Sequence, residues 1–174
     1  MEQDKAKIRA KNNAYVLLRQ RPRSEAEIRT RLKLKGYPPG IIDGVVEDLR
    51  RSGNIDDAKF AHLWVESRMH SNPMGDVVLR HELKAKGVAD PIIEAALEEK
   101  AANYDEYEVA FNMARERFKQ LAKLDASTSL GIDPERSRRV DKRKALKRLY
   151  DFLMRRGFKY DTVQRVVDNL CKPM

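Results

Sequence analysis

Two adjacent carboxylates (Asp56 and Asp57), three histidines (His62, His70 and His81) and one thiol (Cys171) are the side chains of this 174-residue chain that could do covalent or metal chemistry. A carboxylate pair can hold a divalent cation for phosphodiester hydrolysis, and His with Cys can hold zinc. The spacing argues against both. The histidines stand at no metal-ligand interval from one another or from Cys171. Asp56 and Asp57 directly precede an apolar-periodic stretch, where helix capping and the helix dipole account for both carboxylates. No third carboxylate of suitable context lies nearby, and there is no glycine-rich phosphate loop or nucleophile motif. The expectation is a protein with no catalytic residue, no bound metal and no cofactor.

The other chemistry in the chain is cationic. Between residues 136 and 148 stand Arg136, Arg138, Arg139, Lys142, Arg143, Lys144, Lys147 and Arg148, followed by Arg155 and Arg156. A second group, Arg29, Arg31, Lys33 and Lys35, lies near the other end. The net charge is +9, and it is unevenly placed. Residues 1–52 carry +6, residues 53–103 carry −3 and residues 104–174 carry +6. Two basic ends around a mildly acidic middle suit a body that grips a polyanion or an acidic partner. Basic helices that are merely well solvated fit the same distribution.

Positioning these cations falls to an element that occurs three times. Leu32 precedes Lys35-Gly36-Tyr37, with Ile41-Ile42 and Val45-Val46 after it. Leu83 precedes Lys86-Gly87-Val88, followed by Ile92-Ile93 and Ala96-Leu97. Leu153 precedes Arg156-Gly157-Phe158, followed by Thr162-Val163 and Val166-Val167. In each copy the glycine suits the left-handed residue that ends a helix. The large apolar residue after it packs back on that helix, and the pairs four apart form one face of the next. Pro38-Pro39, Asp90-Pro91 and Asp161 mark the expected starts of these second helices, with Asp as the cap. The reading is all-α: three tandem three-helix, helix-turn-helix-like repeats forming an elongated, curved array. The expected domains are 1–52, 53–103 and 104–174. The third carries an inserted loop at 125–133 and an exposed basic extension at 136–148.

Within the first repeat, a helix over 5–20 ends at Arg21-Pro22-Arg23. Ser24-Glu25-Ala26-Glu27 is a capping box for the helix that carries Ile28 and Leu32. The next helix extends to about Ser52, and Gly53-Asn54 leads into the second repeat. There Asp56 is the expected cap, and Ile55 and Phe60 stand where a hydrophobic staple needs them. Trp64 is expected in the core at a junction between repeats, with the Arg68 stem against it. His70–Gly75 is a loop. Ser24, Gly36, Asp56, Asp57, Phe60, Trp64, Arg68, Gly87 and Gly157 are read as structural.

The single cysteine excludes an internal disulfide. No apolar run approaches the roughly 18 residues of a membrane span, and the polar N-terminus lacks the apolar segment of a signal peptide. A soluble, cytoplasmic monomer without membrane contact is expected.

A helix-turn-helix reading invites comparison with DNA readers, whose second helix enters the major groove. Here that helix shows Asp43, Glu47 and Asp48 in the first repeat and Glu94, Glu98 and Glu99 in the second, which phosphate would repel. The motif set resembles another family. Ile55-Asp56-Asp57 with Phe60-Ala61, Trp64-Val65 and Arg68 is similar to the best-marked stretch of the RecX family. Arg23-Ser24-Glu25 with Glu27-Ile28, Arg31-Leu32 and Lys35-Gly36-Tyr37 is similar to its first-repeat pattern. Leu83 with Lys86-Gly87-Val88, and Phe152-Leu153 with Arg155-Arg156-Gly157-Phe158, match the second and third. The resemblance covers residues 10–170, and the segment 125–140 is longer than the pattern. It implies a regulator that lies in the groove of the RecA recombinase filament on single-stranded DNA and mainly inhibits it, with consequences for DNA repair, recombination and the SOS response. Single- or double-stranded DNA would be a further partner of the basic faces. A free-standing helix-turn-helix DNA-binding regulator is the alternative.

Overall fold

The structure, a computed structural model, describes the backbone of residues 2–128 and 134–171 and the side chains of residues 2–121 and 143–171. Nine α-helices follow one another among the described residues: α1 Glu2–Gln20, α2 Glu25–Leu34, α3 Pro39–Arg51, α4 Asp57–Ser71, α5 Asp76–Ala85, α6 Asp90–Asn103, α7 Glu106–Thr128, α8 Pro134–Arg155 and α9 Tyr160–Cys171. Among the described residues no helix is long and apolar enough to cross a membrane. The all-α, three-repeat reading holds, with α1–α3, α4–α6 and α7–α9 as the three sets.

Each glycine corner closes in the same way. Gly36 donates its N–H to the Lys33 carbonyl at 2.9 Å, and Tyr37 donates to the Leu32 carbonyl at 3.3 Å. Gly87 and Val88 repeat the pair on Lys84 and Leu83, and Gly157 and Phe158 repeat it on Met154 and Leu153. Two C-terminal carbonyls per helix are thereby satisfied, which requires the positive φ of 75–81° that the three glycines adopt. Helices α6 and α9 begin one and two residues earlier, respectively, than Asp90 and Asp161 as caps would place them. The caps of the three second helices are Pro38, Ala89 and Lys159, whose carbonyls accept from Ile42, Ile93 and Val163. Asp90 and Asp161 therefore lie inside the first turn, where they face the helix dipole without capping.

Asp56 does cap α4, its Oδ1 accepting from the Ala58 and Lys59 N–H groups at 2.9 and 3.0 Å. Ile55 and Phe60 on either side are buried. The loop read at His70–Gly75 is shorter, because α4 continues through Ser71. Helix α7 likewise continues through Thr128 where a loop from 125 was expected, and 129–133 lie outside the described residues. The basic segment read as an extension is helical backbone from Pro134; its members Arg136, Arg138, Arg139 and Lys142 lie outside the described side chains.

Packing divides the chain into two units, residues 1–68 with 80–99, and residues 69–79 with 100–174. In the first, Ala10 and Ala14 of α1, Ile28 and Leu32 of α2, and Ile42, Val45, Val46 and Leu49 of α3 form one apolar cluster. The alanines let α1 approach closely. In the second, Ala110 and Ala114 of α7, Leu149 and Leu153 of α8, Phe158, and Val163 and Val166 of α9 reproduce it.

Ser24 shows how local and tertiary order are linked. Its Oγ accepts from the Glu27 N–H at 3.2 Å, completing the capping box, and donates to the Lys86 carbonyl at 2.5 Å. Ser24→Ala is expected to lower stability by about 1–2 kcal/mol, one cap plus one buried acceptor left unpaired. A fall in the urea midpoint with unchanged slope would show it; an unchanged midpoint would contradict it.

The second unit holds a buried ion pair that the sequence did not announce. The Lys100 side chain is 3% exposed and its Nζ sits 2.6 Å from Asp76 Oδ1. Burial pushes the Asp76 carboxyl up, but the hydrogen bond and charge of Lys100, with Lys159 at 3.5 Å, outweigh it and hold the group below its usual range. A depressed folded-state acid contributes stability above the unfolded value of about 3.9 and loses it as pH falls through the folded value. Stability should therefore be level above about pH 5 and decline below about pH 4. Lys100→Met should flatten that acid limb while lowering stability at pH 7 by about 3 kcal/mol; an acid limb as steep as the parent's would contradict the assignment.

Candidate partner-binding surfaces

The four cations singled out on α2 and its corner divide into two kinds. Arg29 is turned inward on the surface: Nε lies 2.8 Å from Glu25 Oε1 and Nη1 2.5 Å from Asp43 Oδ1, and these partners raise its guanidinium further above its ordinary value. Lys35 is exposed and touches Asn13 Oδ1 at 3.1 Å. Arg31 and Lys33 are exposed and pair with no described residue. Arg31 also lines a shallow hollow of about 470 Å³ with Thr30, Leu34, Lys84 and Lys86. The contact residues expected from the sequence leave out Lys5, Arg9 and Arg19 on α1, which are equally exposed and unpaired among the described residues. The residues that distinguish them from Lys7 and Lys11 are on α3, where Asp48 takes Lys7 at 3.0 Å and Lys11 at 3.7 Å.

In the second unit, Arg143, Lys144, Lys147, Arg148 and Arg155 are all exposed on α8. At 3.6 residues per turn, Lys144, Lys147, Arg148 and Arg155 fall within about 100° of the helix circumference. The opposite side carries the buried Ala145, Leu149 and Leu153. The core thus forces this stripe outward. Arg156 does not belong to it. Its guanidinium bonds to the Asn72 side chain and to the Pro73 carbonyl at 3.2 Å, lies 4.9 Å from the Phe152 ring centre, and is lowered by burial. Arg156 fastens the second unit internally, so its expected role in contact gives way to a structural one.

The acidic second helices are less open than their sequence suggested. On α3, Asp43 pairs with Arg29, and Glu47 with Arg50 and Arg51. On α6, Glu94 pairs with Arg80 and Glu99 with His62. The cations of these helices are equally occupied. Arg50 bonds Glu25 and Glu47, Lys100 is buried on Asp76, and Arg165 of α9 sits 4.6 Å from the Tyr107 ring centre. Every cation on the three helices that would have to enter a major groove thus has a partner within the fold, the loosest being Arg51 at 3.5 Å from Glu47.

The residues read as structural have specific work. Asp57 Oδ1 accepts from the Glu25 N–H at 2.8 Å, so a carboxylate at the start of α4 caps α2. Burial, and the charges of Glu25 and Asp56, push that carboxyl up against the opposing effect of this hydrogen bond. Trp64 is half-buried, not core. Its ring stacks on Phe60 at 6.0 Å and lies under the Arg68 guanidinium at 4.8 Å and Lys86 Nζ at 4.0 Å. Its Nε1 donates to Glu82 Oε2 at 2.7 Å, an oxygen that also takes Arg68 Nε at 2.8 Å. An indole in contact with two cations is worth more partly wet than buried, because its N–H and both cations need polar partners. Glu82 and Arg23 were not foreseen. Arg23 is buried and its Nε donates to the Leu17 carbonyl, satisfying the end of α1. Among the described residues no cluster of three or more His, Cys, Asp or Glu could hold a metal ion.

Comparison with known proteins agrees with the repeat structure. Residues 10–49 match the first three-helix domain of RecX, residues 56–97 the second and residues 135–167 the third. The regulatory protein RecX of Prosthecochloris aestuarii is 34% identical over 162 residues, spanning 93% of this chain and 93% of that protein. Its counterpart in Mycolicibacterium smegmatis is 34% identical over 161 residues, 91% of this chain and 77% of the relative. In Clostridium acetobutylicum the figures are 29% over 162 residues, 92% and 68%. The crystal structure of RecX from Lactobacillus salivarius superposes with a TM-score of 0.73 over 96% of this chain and 97% of that one, at 21% identity, a likeness of fold.

Proposed function

Because the chain belongs to the RecX family, we propose that it is a regulatory protein that inhibits the RecA recombinase by binding along the groove of the RecA filament on single-stranded DNA, in the cytoplasm, and so restrains recombination, repair and the SOS response. The observation that carries the reading beyond family membership is the outward cationic stripe Lys144, Lys147, Arg148 and Arg155, with Arg143 beside it. A filament offers acidic protein surface and phosphate together, and a stripe held outward by a core on the other side needs no rearrangement to meet them. Arg31, Lys33 and Lys35 form the second contact.

The alternative, a sequence-specific reader of duplex DNA, draws little support from helices α3, α6 and α9. Their cations are engaged within the fold, and base readout needs side chains free to reach base edges. Co-sedimentation separates the two. The protein should pellet with RecA filaments on single-stranded DNA, less so as salt rises, and should bind all short duplexes with similar affinity. Failure to pellet, together with one duplex bound about 1,000-fold better than others, would favour the alternative.

A further inference from the structure

Two of the three glycine corners are docked on the start of another helix, and in the same register. The corner at Gly87 meets the start of α2: the Lys86 carbonyl accepts from Ser24 Oγ at 2.5 Å, and a Cβ at Gly87 would overlap the Ala26 methyl. The corner at Gly157 meets the start of α5: the Arg156 carbonyl accepts from the Gly75 N–H at 2.8 Å, and a Cβ at Gly157 would lie 2.7 Å from the Val78 backbone N. Ser24 stands twelve residues before its own corner glycine, Gly36, and Gly75 stands twelve before Gly87. The chain thus uses one joint twice: a hydrogen-bond donor at a helix cap meets the carbonyl before the glycine, and the first turn of that helix presses on the glycine itself.

The corner at Gly36 is the same joint without its second half. Its φ is 81° and its closing hydrogen bonds match the other two. Yet a Cβ there would meet nothing within 4 Å, and the same holds for Gly40 one turn on. No described residue donates to the Lys35 carbonyl. Leu34 beside it is 74% exposed, the largest exposure among the large apolar side chains of the described residues. Lys35 is exposed where Lys86 and Arg156 are half-buried.

Neither of the two donors that complete this joint within the chain is available for the missing half. Ser24 and Gly75 are already engaged. The equivalent position in the third repeat, twelve before Gly157, is Ala145, which is buried inside α8 and is no helix start. We propose that the Leu34–Gly36 corner receives the first turn of a helix on the filament protein, whose cap donates to the Lys35 carbonyl and whose first turn carries a small residue against Gly36, with an apolar side chain on Leu34. The equivalent joint sets the charge such an occupant should carry: an acidic third residue would face Lys35 as Glu27 faces Lys86 at 3.4 Å. The proposal rests on the RecA reading and adds to it the nature of one contact: the corner that bears Gly36 is held by protein, not by phosphate.

Leu34→Glu tests it, read by co-sedimentation with RecA filaments on single-stranded DNA. Exposure of the side chain leaves folding intact, which the parent's circular dichroism and melting midpoint would verify. Binding should weaken about ten-fold or more. In a Cys171→Ser background, Leu34→Cys carrying a benzophenone should cross-link to the first turn of a RecA helix. Equal pelleting of Leu34→Glu and parent, or cross-links to DNA, to a second copy of this chain or to a RecA segment that starts no helix, would overturn the inference while leaving the proposed function standing. A parent protein that does not pellet at all would instead overturn the proposed function, and this occupant with it.

Discussion

Gly75→Ala is expected to destabilise the unit formed by residues 69–79 and 100–174 by about 3 kcal/mol. The backbone of Gly75 is not left-handed, so alanine suffers no conformational strain there. The effect comes from approach: a Cβ would overlap the Gly157 carbonyl and crowd the Phe158 nitrogen. Backbone atoms cannot rotate aside, so the two segments must separate. The Gly75 N–H to Arg156 carbonyl bond then lengthens or breaks. Overpacking costs about 1–3 kcal/mol and a lost buried hydrogen bond about 1 more. Hydrogen exchange in α7, α8 and α9 should accelerate while α1–α3 stay protected. Gly40→Ala is the matched control, with open space at its Cβ, and should shift stability by no more than about 0.5 kcal/mol. Equal urea midpoints for Gly75→Ala and parent would show that the close approach carries no energy.

Reversal of Arg143, Lys144, Lys147 and Arg155 to Glu is expected to weaken binding to the RecA filament about 100-fold. All four are exposed and free of described partners, so the fold should survive. Arg156→Ala makes the informative contrast. Because its guanidinium holds Asn72 and Pro73 and covers Phe152, its loss should lower stability more than affinity. A reversal variant that binds as the parent does would remove the α8 stripe from the mechanism.

How much of this was legible in the residues depends on range. The corners were legible, because a Schellman turn is local: Leu, basic residue, glycine and a large apolar residue close within six positions. The capping box at Ser24 and the Asp56 cap were legible for the same reason. What the residues concealed was which charges were already taken. Arg29 and Arg31 are two apart on one helix, yet Asp43, fourteen residues on, claims only the first. Lys100 reads as a surface residue among Glu98, Glu99 and Ala101, and Asp76 draws it into the interior across 24 residues. Arg156 reads as one more member of a basic run, and its partners lie 83 and 84 residues away. Trp64 as the sole tryptophan suggested core; two cations and the Glu82 carboxylate, brought to it from α4 and the α5 corner, keep it half-exposed. The stop of α7 was misplaced because Asp125-Ala-Ser-Thr has loop composition but follows a long, well-formed helix that carries through it.

The third appearance of the corner also explains the unequal repeats. At Ser24 and Gly75 a helix starts and receives the next corner. At Ala145 the helix runs through, so no further corner can dock. The extended α8 ends the series at that register and gives the outward stripe the length it needs.

The most direct test of the account is the single-stranded-DNA-dependent ATPase of RecA, titrated with the parent protein and with the α8 reversal variant at fixed salt. The parent should suppress hydrolysis at or below about one protein per RecA protomer, and the variant should need about 100-fold more for the same effect. Hydrolysis unchanged by a stoichiometric excess of the parent would contradict it.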